Sequence, residues 1–363
     1  MITTDGLVRM SHSKKNVLWW GRFDPGYSRN RILQSAFKKL GWAVRTYRPK
    51  FSALGYIESF IHVIDKPDLV FVPCFRQRDI AAAATYCKHN GIKLMIDPLI
   101  SAFDKQVNER SKFSAVSPPG RKLREYESYL FQQADILLAD TAEHAQFFID
   151  ELQVTEDKVY VVYVGAEDIF QPADVNKSNH KLTEILFFGS FIQLHGANHI
   201  LQAARLVDMD NVRWIMLGDG EERDRLEREA TDLKNIVFEK SIAYEKLPGR
   251  ILSADILLGI FGDTPKASRV IPNKVYQSLA CGKPVITRSA PAYPAQLRDN
   301  NDHGITWVPA ANPEALAQAV REMLMLESAE IIKQGHTARK TFEYYFSFGR
   351  IVRQLESALT TQT

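Results

Sequence analysis

The sequence predicts an α/β protein made of two doubly wound units that follow one another along the chain. Three observations support this prediction. Short β-branched and apolar runs alternate with stretches of helical spacing, which is typical of a parallel sheet wrapped by crossover helices. The chain has 363 residues, enough for two domains of roughly 150–200 residues each. A polar stretch without periodicity, residues 165–181, separates two series of apolar runs.

Twelve apolar runs predict the strands, six in each unit. Those of the first unit are residues 17–21, 43–47, 68–74, 92–97, 134–140 and 158–165. Those of the second unit are residues 184–190, 213–220, 235–241, 254–262, 283–287 and 304–309. From residue 331 onward the chain has amphipathic helical spacing, which is broken near "YYFSFG". We therefore predict a first domain over residues 1–165, a linker over 166–180, a second domain over 181–340 and a final helix within 341–363, with a cleft beside the linker.

Composition indicates a globular protein of the cytoplasm. Hydrophobic residues make up 45% and charged residues 25% of the chain, and no apolar run approaches the roughly 18 residues of a membrane span. The first residues carry charge where a signal peptide would be apolar, so we expect no secretion signal. Cys74, Cys87 and Cys281 are widely spaced and form no CxxC pair. We expect all three to be reduced, without a disulfide framework or a zinc site.

The net charge of +3 is unevenly distributed. Residues 1–165 contain 23 Lys and Arg against 18 Asp and Glu, whereas the remainder contains 23 against 25. The excess is compatible with ordinary surface variation, or with a basic face that meets an anionic membrane or a lipid-linked substrate.

Ligands of open α/β sheets bind outside the carboxyl ends of the strands, so the turns that follow the predicted strands are the candidate ligand sites. In "FFGSFIQLHG", Gly189 and Ser190 follow a strand and Gly196 precedes a helix. Glycines leave such a turn open to a ligand, and the amides at a helix start favour phosphate. His195 in this turn is either a donor to phosphate or a structural residue.

A second turn, "MLGDGEERDRLE", has the same arrangement, with Gly218, Asp219 and Gly220 before a helix that begins with acidic residues. Capping and compensation of the helix dipole explain these acids better than metal ligation does. Since no second acidic cluster lies at a recognisable spacing, we predict no metal site.

The segment "VIPNKVYQSLACGKPVIT" predicts a helix that begins abruptly and ends just before a strand. Pro272 suits the first helical turn, and Asn273 can cap it. The amides that follow, up to Val275, form a potential anion site.

The spacing within this helix places Lys274, Gln277 and Cys281 on one face and Val275 and Leu279 on the other. We predict that the second face packs and that the first can reach a ligand. A plain helix with a surface lysine is the alternative.

In the first unit, a long loop between the first strand and the first helix would supply a lid or acceptor contacts through Asp24, Gly26, Ser28 and Arg29. Asp97 and Asp104 follow the fourth strand, where a carboxylate could orient a hydroxyl or cap a helix. No G-x-S-x-G, H-E-x-x-H, Walker or G-x-G-x-x-G motif occurs in the expected context. Hydrolase, zinc protease, ATPase and nicotinamide-dependent functions therefore lose support.

In this order, the motifs resemble those of the retaining GT-B glycosyltransferases of family 4, the glycosyl transferases group 1. The resemblance covers almost the whole chain. The segments that carry it are "ADILLADTAEHAQFF", "KVYVVYVGAEDIFQP", "FFGSFIQLHGANHILQAA", "MLGDGEERDRLE", "ADILLGIF" and "NKVYQSLACGKPVIT".

The resemblance implies an α/β GT-B fold, in which two Rossmann-like domains face each other across a cleft and the last helix crosses back to the first domain. It implies an acceptor site in the first domain and metal-independent, cofactor-free transfer of a hexose, with retention, from a nucleotide-sugar, with a UDP-sugar preferred on family frequency. The acceptor would be a saccharide or lipid-linked saccharide in surface polysaccharide synthesis, with a possible peripheral membrane contact through the basic first domain. No nucleic acid partner is expected.

The resemblance also assigns roles to residues. The nucleotide-sugar site would comprise Gly189, Ser190, His195, Gly196, Gly218, Asp219, Gly220, Ser241, Ile242, Pro272, Asn273, Lys274, Val275 and Gln277. Lys274 and Lys266 would stabilise the leaving diphosphate by electrostatic catalysis. The acceptor proton would pass to the diphosphate or to a carboxylate such as Asp97.

The chain departs from the family pattern at the usual pair of glutamates, where it has Arg269 and Gln277. Ser190 and His195 likewise stand where the family often has Arg and Lys. A GT-B protein that binds a nucleotide-sugar or a partner glycosyltransferase without transfer is therefore the alternative function.

Overall fold

Two parallel six-stranded sheets form the scaffold of the protein, as the sequence predicted. The computed structural model describes residues 14–62, 65–173, 182–207, 209–299 and 303–361. Residues 174–180 of the predicted linker lie outside this part of the chain. Each of the twelve predicted apolar runs overlaps one of the twelve strands of the two sheets, and four of these strands extend one residue beyond their runs.

The first sheet has the strand order β2-β1-β3-β4-β5-β6. Its strands are β1 (Asn16–Trp20), β2 (Ala43–Tyr47), β3 (Leu69–Val72), β4 (Lys93–Ile96), β5 (Ile136–Ala139) and β6 (Val159–Val161). Its helices are α1 (Ser28–Lys39), α2 (Gly55–Ile61), α3 (Ile80–Asn90), α4 (Pro118–Gln132) and α5 (Ala142–Asp150), and a π-helical segment covers Asp104–Glu109. Because side chains alternate along a strand, Leu18 and Trp20 pack into one core and Val17 and Trp19 into another on the opposite face.

The second sheet has the order β12-β11-β10-β7-β8-β9. Its strands are β7 (Thr183–Phe188), β8 (Val212–Leu217), β9 (Ile236–Glu239), β10 (Ile256–Leu258), β11 (Val285–Arg288) and β12 (Ile305–Val308). Its helices are α6 (Ala197–Leu206), α7 (Arg223–Glu229), α8 (Leu247–Ser253), α9 (Pro265–Arg269), α10 (Asn273–Ala280), α11 (Ala295–Arg298) and α12 (Pro313–Leu324). The strand order reverses between β7 and β10, so a crevice is expected at their carboxyl ends.

The last two helices connect the domains. Helix α13 (Ser328–Tyr345) packs on α10, and α14 (Phe348–Thr360) begins after the break that the sequence predicted. Ile351, Leu355 and Ala358 of α14 are buried in the core of the first sheet. The chain therefore crosses back to the first domain. Among the residues that the structure describes, no helix is long and apolar enough to cross a bilayer.

A buried ion pair holds the carboxyl edge of the first sheet together. The Arg29 guanidinium in the first turn of α1 donates to both oxygens of Asp97, at 2.9 and 3.0 Å, and both side chains are fully buried. Arg29 also donates to the carbonyls of Val162 and Tyr163, at 2.6 and 2.8 Å. One side chain thus ties together α1, the end of β4 and the chain after β6.

Charged residues also join the two domains. Asp104 in the π-helical segment accepts a 2.6 Å bond from Arg269 of α9. The carboxylate therefore binds a residue of the other domain, and it makes no capping bond to the π-helical segment, so the helix cap that the sequence offered as one of two roles for Asp104 is wrong. His144 lies beside this pair: its Nδ1 is 2.5 Å from Asp140 and its Nε2 is 3.6 Å from the free oxygen of Asp104. Burial alone would lower the pKa of His144, but the Asp140 and Asp104 carboxylates outweigh it and raise that pKa to about 9.

Asp97→Asn should lower the free energy of unfolding by about 3–5 kcal/mol, because it leaves the buried Arg29 guanidinium without a counter-charge. Chemical denaturation of the variant measures this loss. Asp24→Asn, which changes an exposed carboxylate, should leave stability nearly unchanged. Equal stability of Asp97→Asn and the parent protein would contradict the importance of the pair.

The His144 cluster should make stability depend on pH. Because the folded-state pKa of His144 lies above its ordinary value of about 6.5, its stabilising contribution is complete below pH 6.5 and is lost as the pH rises through about 9. The difference in thermal midpoint between the parent protein and His144→Gln should therefore shrink over that window. His89→Gln, on the surface of α3, is the control. A constant difference would argue against a charged His144.

Candidate functional site

The strongest candidate for a ligand-binding group is the side chain of Lys274 in α10. Only 4% of the residue is exposed, and its Nζ has no hydrogen-bond partner among the residues that the structure describes. The ammonium lies 4.2 Å from the centroid of the Phe187 ring at the end of β7. Burial lowers the pKa of Lys274 well below its usual range. Since an anion beside this nitrogen would favour its charged form again, the position at the switch point of the sheet suits an anionic ligand.

Two glycine turns form the wall of this position. Gly189 and Gly218 have φ of +132° and +138°, and a Cβ on Gly218 would lie 2.0 Å from the carbonyl oxygen of Gly189. The turns after β7 and β8 therefore pack backbone against backbone, which only glycine permits here. A Cβ on Gly189 would lie 3.4 Å from Nζ of Lys274. The two turns and Lys274 thus meet at one place, with Ser190 exposed beside them.

His195 is not placed to donate to phosphate, as one interpretation of the sequence required. Its Nδ1 interacts with the carbonyl of Ser190, so the proton is assigned to Nδ1 and leaves Nε2 as an acceptor. Burial, followed by the charge of Lys274, lowers the pKa of His195 well below its ordinary value. The imidazole is therefore neutral and structural in this conformation, and Gly196 after it turns the chain into α6.

Helix α10 begins one residue later than predicted. Pro272 is its N-cap residue rather than the first helical residue, and Asn273 is the first helical residue without a capping bond. The Asn273 side chain instead interacts with the Tyr27 hydroxyl of the first domain. The Val275 amide donates to the Pro272 carbonyl at 2.9 Å, so this amide is used within the chain and does not await a ligand.

The two faces predicted for α10 are not separated into a packed and an open side. Seven of the eight residues of the helix are buried, and Asn273 is the exception. Cys281, which follows the helix, packs in the apolar cluster of the second sheet. Gln277 is 5% exposed, and its Nε2 lies 3.4 Å from the Tyr244 hydroxyl. The prediction that Cys281 lies on a ligand-facing side of the helix was therefore wrong.

A network that the sequence did not reveal continues from Gln277 to the first domain. The Tyr244 hydroxyl donates to Glu167 at 2.7 Å, and Arg31 of α1 donates to both oxygens of Glu167, at 2.6 and 2.8 Å. The Arg31 guanidinium also lies 4.8 Å from the centroid of the Tyr244 ring. Helix α1, the segment after β6 and the second domain therefore converge on one carboxylate.

Lys266 of α9 is already paired in this conformation. Its ammonium binds the carboxylate of Glu109 at the end of the π-helical segment, and the two side chains are 6% and 3% exposed. Lys266 lies close enough to His195 to lower the pKa of that residue. Lys266 is thus near the candidate anion position, but an acid of the first domain neutralises it.

The remaining predicted residues of the second domain surround the turn after β8. Asp219 accepts hydrogen bonds from the amide and hydroxyl of Ser241, and its other oxygen lies 3.7 Å from the guanidinium of Arg223, the first residue of α7. Ile242 beside it is 38% exposed, and Gly220 contacts the backbone of Phe191. No group of three or more potential metal ligands occurs among the residues that the structure describes.

The first-domain loop is shorter than predicted. Asp24 and Gly26 lie in it, joined by a 2.7 Å bond from the Gly26 amide to Asp24. Ser28 and Arg29 instead belong to the first turn of α1 and are buried, so Arg29 is not available to an acceptor. Its partner Asp97, predicted as a possible base, is fully buried with both oxygens bonded.

The residues that sequence reasoning missed are Arg31, Glu109, Glu167 and Tyr244. Arg31 and Glu167 are 136 positions apart, and Lys266 and Glu109 are 157 apart. Of these four residues, only Glu167 had a sequence signal, because it is an acid in the predicted linker beside the cleft. The other pairings depend on how the two domains meet.

Comparisons with known proteins agree with this architecture. Residues 183–325 match a family model described as glycosyl transferases group 1. No curated protein gave a significant match. Three similar solved structures have TM-scores of 0.65 to 0.73 to this chain.

The first of these structures is HepE from Anabaena in complex with UDP and glucose, with 15% identity, a TM-score of 0.72, and coverage of 96% of this chain and 100% of that one. Sucrose-phosphate synthase from Thermosynechococcus elongatus has 14% identity, a TM-score of 0.73, and coverage of 95% and 98%. The lipopolysaccharide outer core galactosyltransferase WaaB has 12% identity, a TM-score of 0.65, and coverage of 96% and 100%. The chain therefore has the GT-B fold, and its second domain is similar to the glycosyl transferases group 1.

Proposed function

We propose that the protein is a retaining, metal-independent and cofactor-free hexosyltransferase. It transfers a sugar from a nucleotide-sugar, preferentially a UDP-sugar, to a saccharide or lipid-linked saccharide during surface polysaccharide synthesis. It works in the cytoplasm, at the inner face of the membrane. The observation that carries this proposal is the buried Lys274 side chain at the carboxyl end of the second sheet, which has no acidic partner within the described ranges.

A diphosphate is the ligand that fits this position best. A buried, unpaired ammonium is unfavourable until an anion reaches it. Negative charge develops on the diphosphate as the sugar departs, and a cation fixed in advance stabilises that charge without reorganising. Lys274 thereby performs the task that a metal ion performs in other transferases. The adjoining turn at Gly189 and Ser190 keeps the position open.

Similar proteins support the donor and acceptor classes. The HepE structures are described as complexes with UDP, with UDP and glucose, and with UDP-glucose. WaaB is described as acting on the lipopolysaccharide outer core. The family model covers the second domain, where we place the donor.

Of the two candidate acceptors of the proton, the leaving diphosphate is favoured. Both oxygens of Asp97 are bonded to Arg29 in a buried pair, so protonation of Asp97 would cost the pair its attraction. A diphosphate oxygen at Lys274 would lie beside the departing sugar. Asp97 then positions α1 through Arg29 and does not act as the base.

The ribose is best assigned to Gln277 and its neighbours. A carboxamide both donates to and accepts from hydroxyl groups. Tyr244 links Gln277 to Glu167, so an acid from the interdomain segment lies close to the position where the family usually has one. Glu167 can accept from a ribose hydroxyl when Tyr244 turns away.

Binding without transfer is the second candidate function, and one observation favours it. Arg269 stands where the family usually has an acid and is paired with Asp104, while Lys266 is paired with Glu109. An assay with a panel of nucleotide-sugars separates the candidates. A binding protein would show saturable affinity and no release of nucleotide, whereas a transferase would release nucleotide in the presence of acceptor.

Lys274→Ala should abolish turnover while leaving the fold intact, and the isosteric Lys274→Met should lower kcat at least about a hundredfold. Lys274→Met should also keep or raise the thermal midpoint, because it removes a buried unpaired charge. Lys333→Ala, at a position 69% exposed, is the matched control. Near-normal transfer by the Lys274 variants would refute the proposed role.

Glu109→Gln should tighten donor binding, because it frees Lys266 for the diphosphate. We expect KM for the active UDP-sugar to fall by up to about tenfold, which corresponds to 1.4 kcal/mol. Lys266→Gln should raise KM, and the thermal midpoints of both variants control for loss of packing. If both variants leave KM unchanged, Lys266 does not contact the donor.

A further inference from the structure

An exposed apolar surface lies on the first domain, outside the candidate donor site. It consists of Phe51, Leu54, Ile57, Phe60 and Ile61, which are between 47% and 77% exposed. These residues belong to the end of the loop after β2, the 3₁₀ turn Ser52–Leu54 and helix α2. Their spacing of three and four residues places them on one side of a helical run. We call this surface the apolar helix face.

Helix α2 has its large apolar side chains on the solvent side, whereas a helix that only supports a core has them on the inward side. Its inward side has small residues: a Cβ on Gly55 would lie 3.2 Å from the Trp20 ring, and Ser59 is only 7% exposed. Tyr56 is partly buried against the core. The large apolar side chains therefore point outward, where a soluble helix normally has polar groups. Contiguous exposed apolar surface of this kind marks a binding site.

Cations flank the apolar helix face. Lys50 is exposed and adjoins Phe51. Arg22 donates to the Lys50 carbonyl at 3.4 Å, and Arg76 donates to Ser52 at 3.0 Å. Arg78 is exposed in the 3₁₀ turn Gln77–Asp79, which packs against the turn Ser52–Leu54. The rim of the face therefore attracts anions.

The nearby acids are engaged. The Glu58 carboxylate accepts from the amides of Lys50 and Phe51, at 2.7 and 2.9 Å, and these bonds lower its pKa. Asp79 is fully buried and pairs with Arg76. The cations on the rim thus exceed the acids that could repel an anionic surface.

The apolar helix face adjoins the carboxyl edge of the first sheet. Phe51 lies in the loop after β2, and Arg76 lies in the loop after β3. The Arg76 side chain donates to Ser52, and its Nε is also close to Gly21 after β1, since a Cβ on Gly21 would lie 3.2 Å from it. The loop with Asp24 and Gly26 lies at this same edge. A surface bound to the face would therefore be next to the side of the cleft that we assign to the acceptor.

We propose that the apolar helix face inserts into the interface of an anionic lipid bilayer. The face is a helix with protruding side chains, which enter the headgroup and acyl boundary while the flanking cations meet anionic headgroups. The inference deepens the proposed function and rests on it for its purpose, since it would bring the cleft to a lipid-linked acceptor. Binding to lipid itself requires neither donor nor acceptor.

Co-sedimentation of the full chain with vesicles tests the proposal. The vesicles contain phosphatidylcholine alone or with about 30% phosphatidylglycerol, without nucleotide-sugar. The parent protein should bind the anionic vesicles, and Ile57→Asp combined with Phe60→Asp should reduce binding at least about tenfold. The matched control combines Met325→Asp with Ile332→Asp, at second-domain positions that are 86% and 61% exposed. It should bind like the parent.

A charge variant tests the rim. Lys50→Glu combined with Arg78→Glu should weaken binding to anionic vesicles, and binding should fall at high ionic strength. Equal binding to both kinds of vesicle would overturn the proposal of an anionic surface. Failure of the parent to bind any vesicle, or unchanged binding by the Ile57 and Phe60 variant, would overturn insertion of the face.

Size-exclusion chromatography distinguishes a protein occupant. A parent dimer that becomes a monomer in the Ile57 and Phe60 variant would assign the face to a second copy of the chain and overturn the proposal. Equal thermal midpoints verify that all variants are folded. Because vesicle binding is measured without turnover, near-normal activity of a Lys274 variant refutes only the donor site, and failure of the parent protein to bind vesicles refutes only the membrane contact.

Discussion

Burial of the Lys274 side chain, without an acidic partner in the part of the chain that the structure describes, is the constraint around which the carboxyl edge of the second sheet is organised. The helix that carries Lys274 is almost wholly buried, so the charge cannot move out to water. The Phe187 ring supplies partial compensation from its π face. Glycine turns on the other side leave room instead of supplying a carboxylate. The unfavourable free energy of burying this unpaired group in the unliganded protein would therefore be relieved when an anion binds.

The other cations near this position, Lys266 and Arg269 of α9, are paired, because the first domain supplies an acidic partner for each. Glu109 pairs with Lys266 and Asp104 with Arg269, and both acids lie in the π-helical segment after β4. Contact between the domains thus satisfies the cations of α9 while leaving Lys274 alone. In the proposed donor site, a diphosphate that reached Lys266 would compete with Glu109.

Helix α1 connects the scaffold of the first sheet to the network around Glu167 and Tyr244. Arg29 holds α1 to Asp97 at the end of β4, and Arg31 of the same helix reaches Glu167 and Tyr244 near Gln277. Rigid buried pairing on one side of α1 therefore positions a partly exposed network on the other. The apolar helix face lies at the outer end of the same sheet edge, so an acceptor held at a lipid surface would approach the cleft along this edge.

The sequence by itself determined the two parallel sheets, the twelve strands, the break between α13 and α14, and the helix that carries Lys274. These features depend on local periodicity and turn chemistry, which are written in neighbouring residues. The tertiary structure alone decided that Arg29 and Asp97 bind each other, that Glu109 neutralises Lys266, and that His195 is neutral. Those partners are 68 and 157 positions apart in the two ion pairs. The charge state and availability of a side chain are set by whatever the fold brings within a few ångströms of it, and spacing along the chain does not encode that.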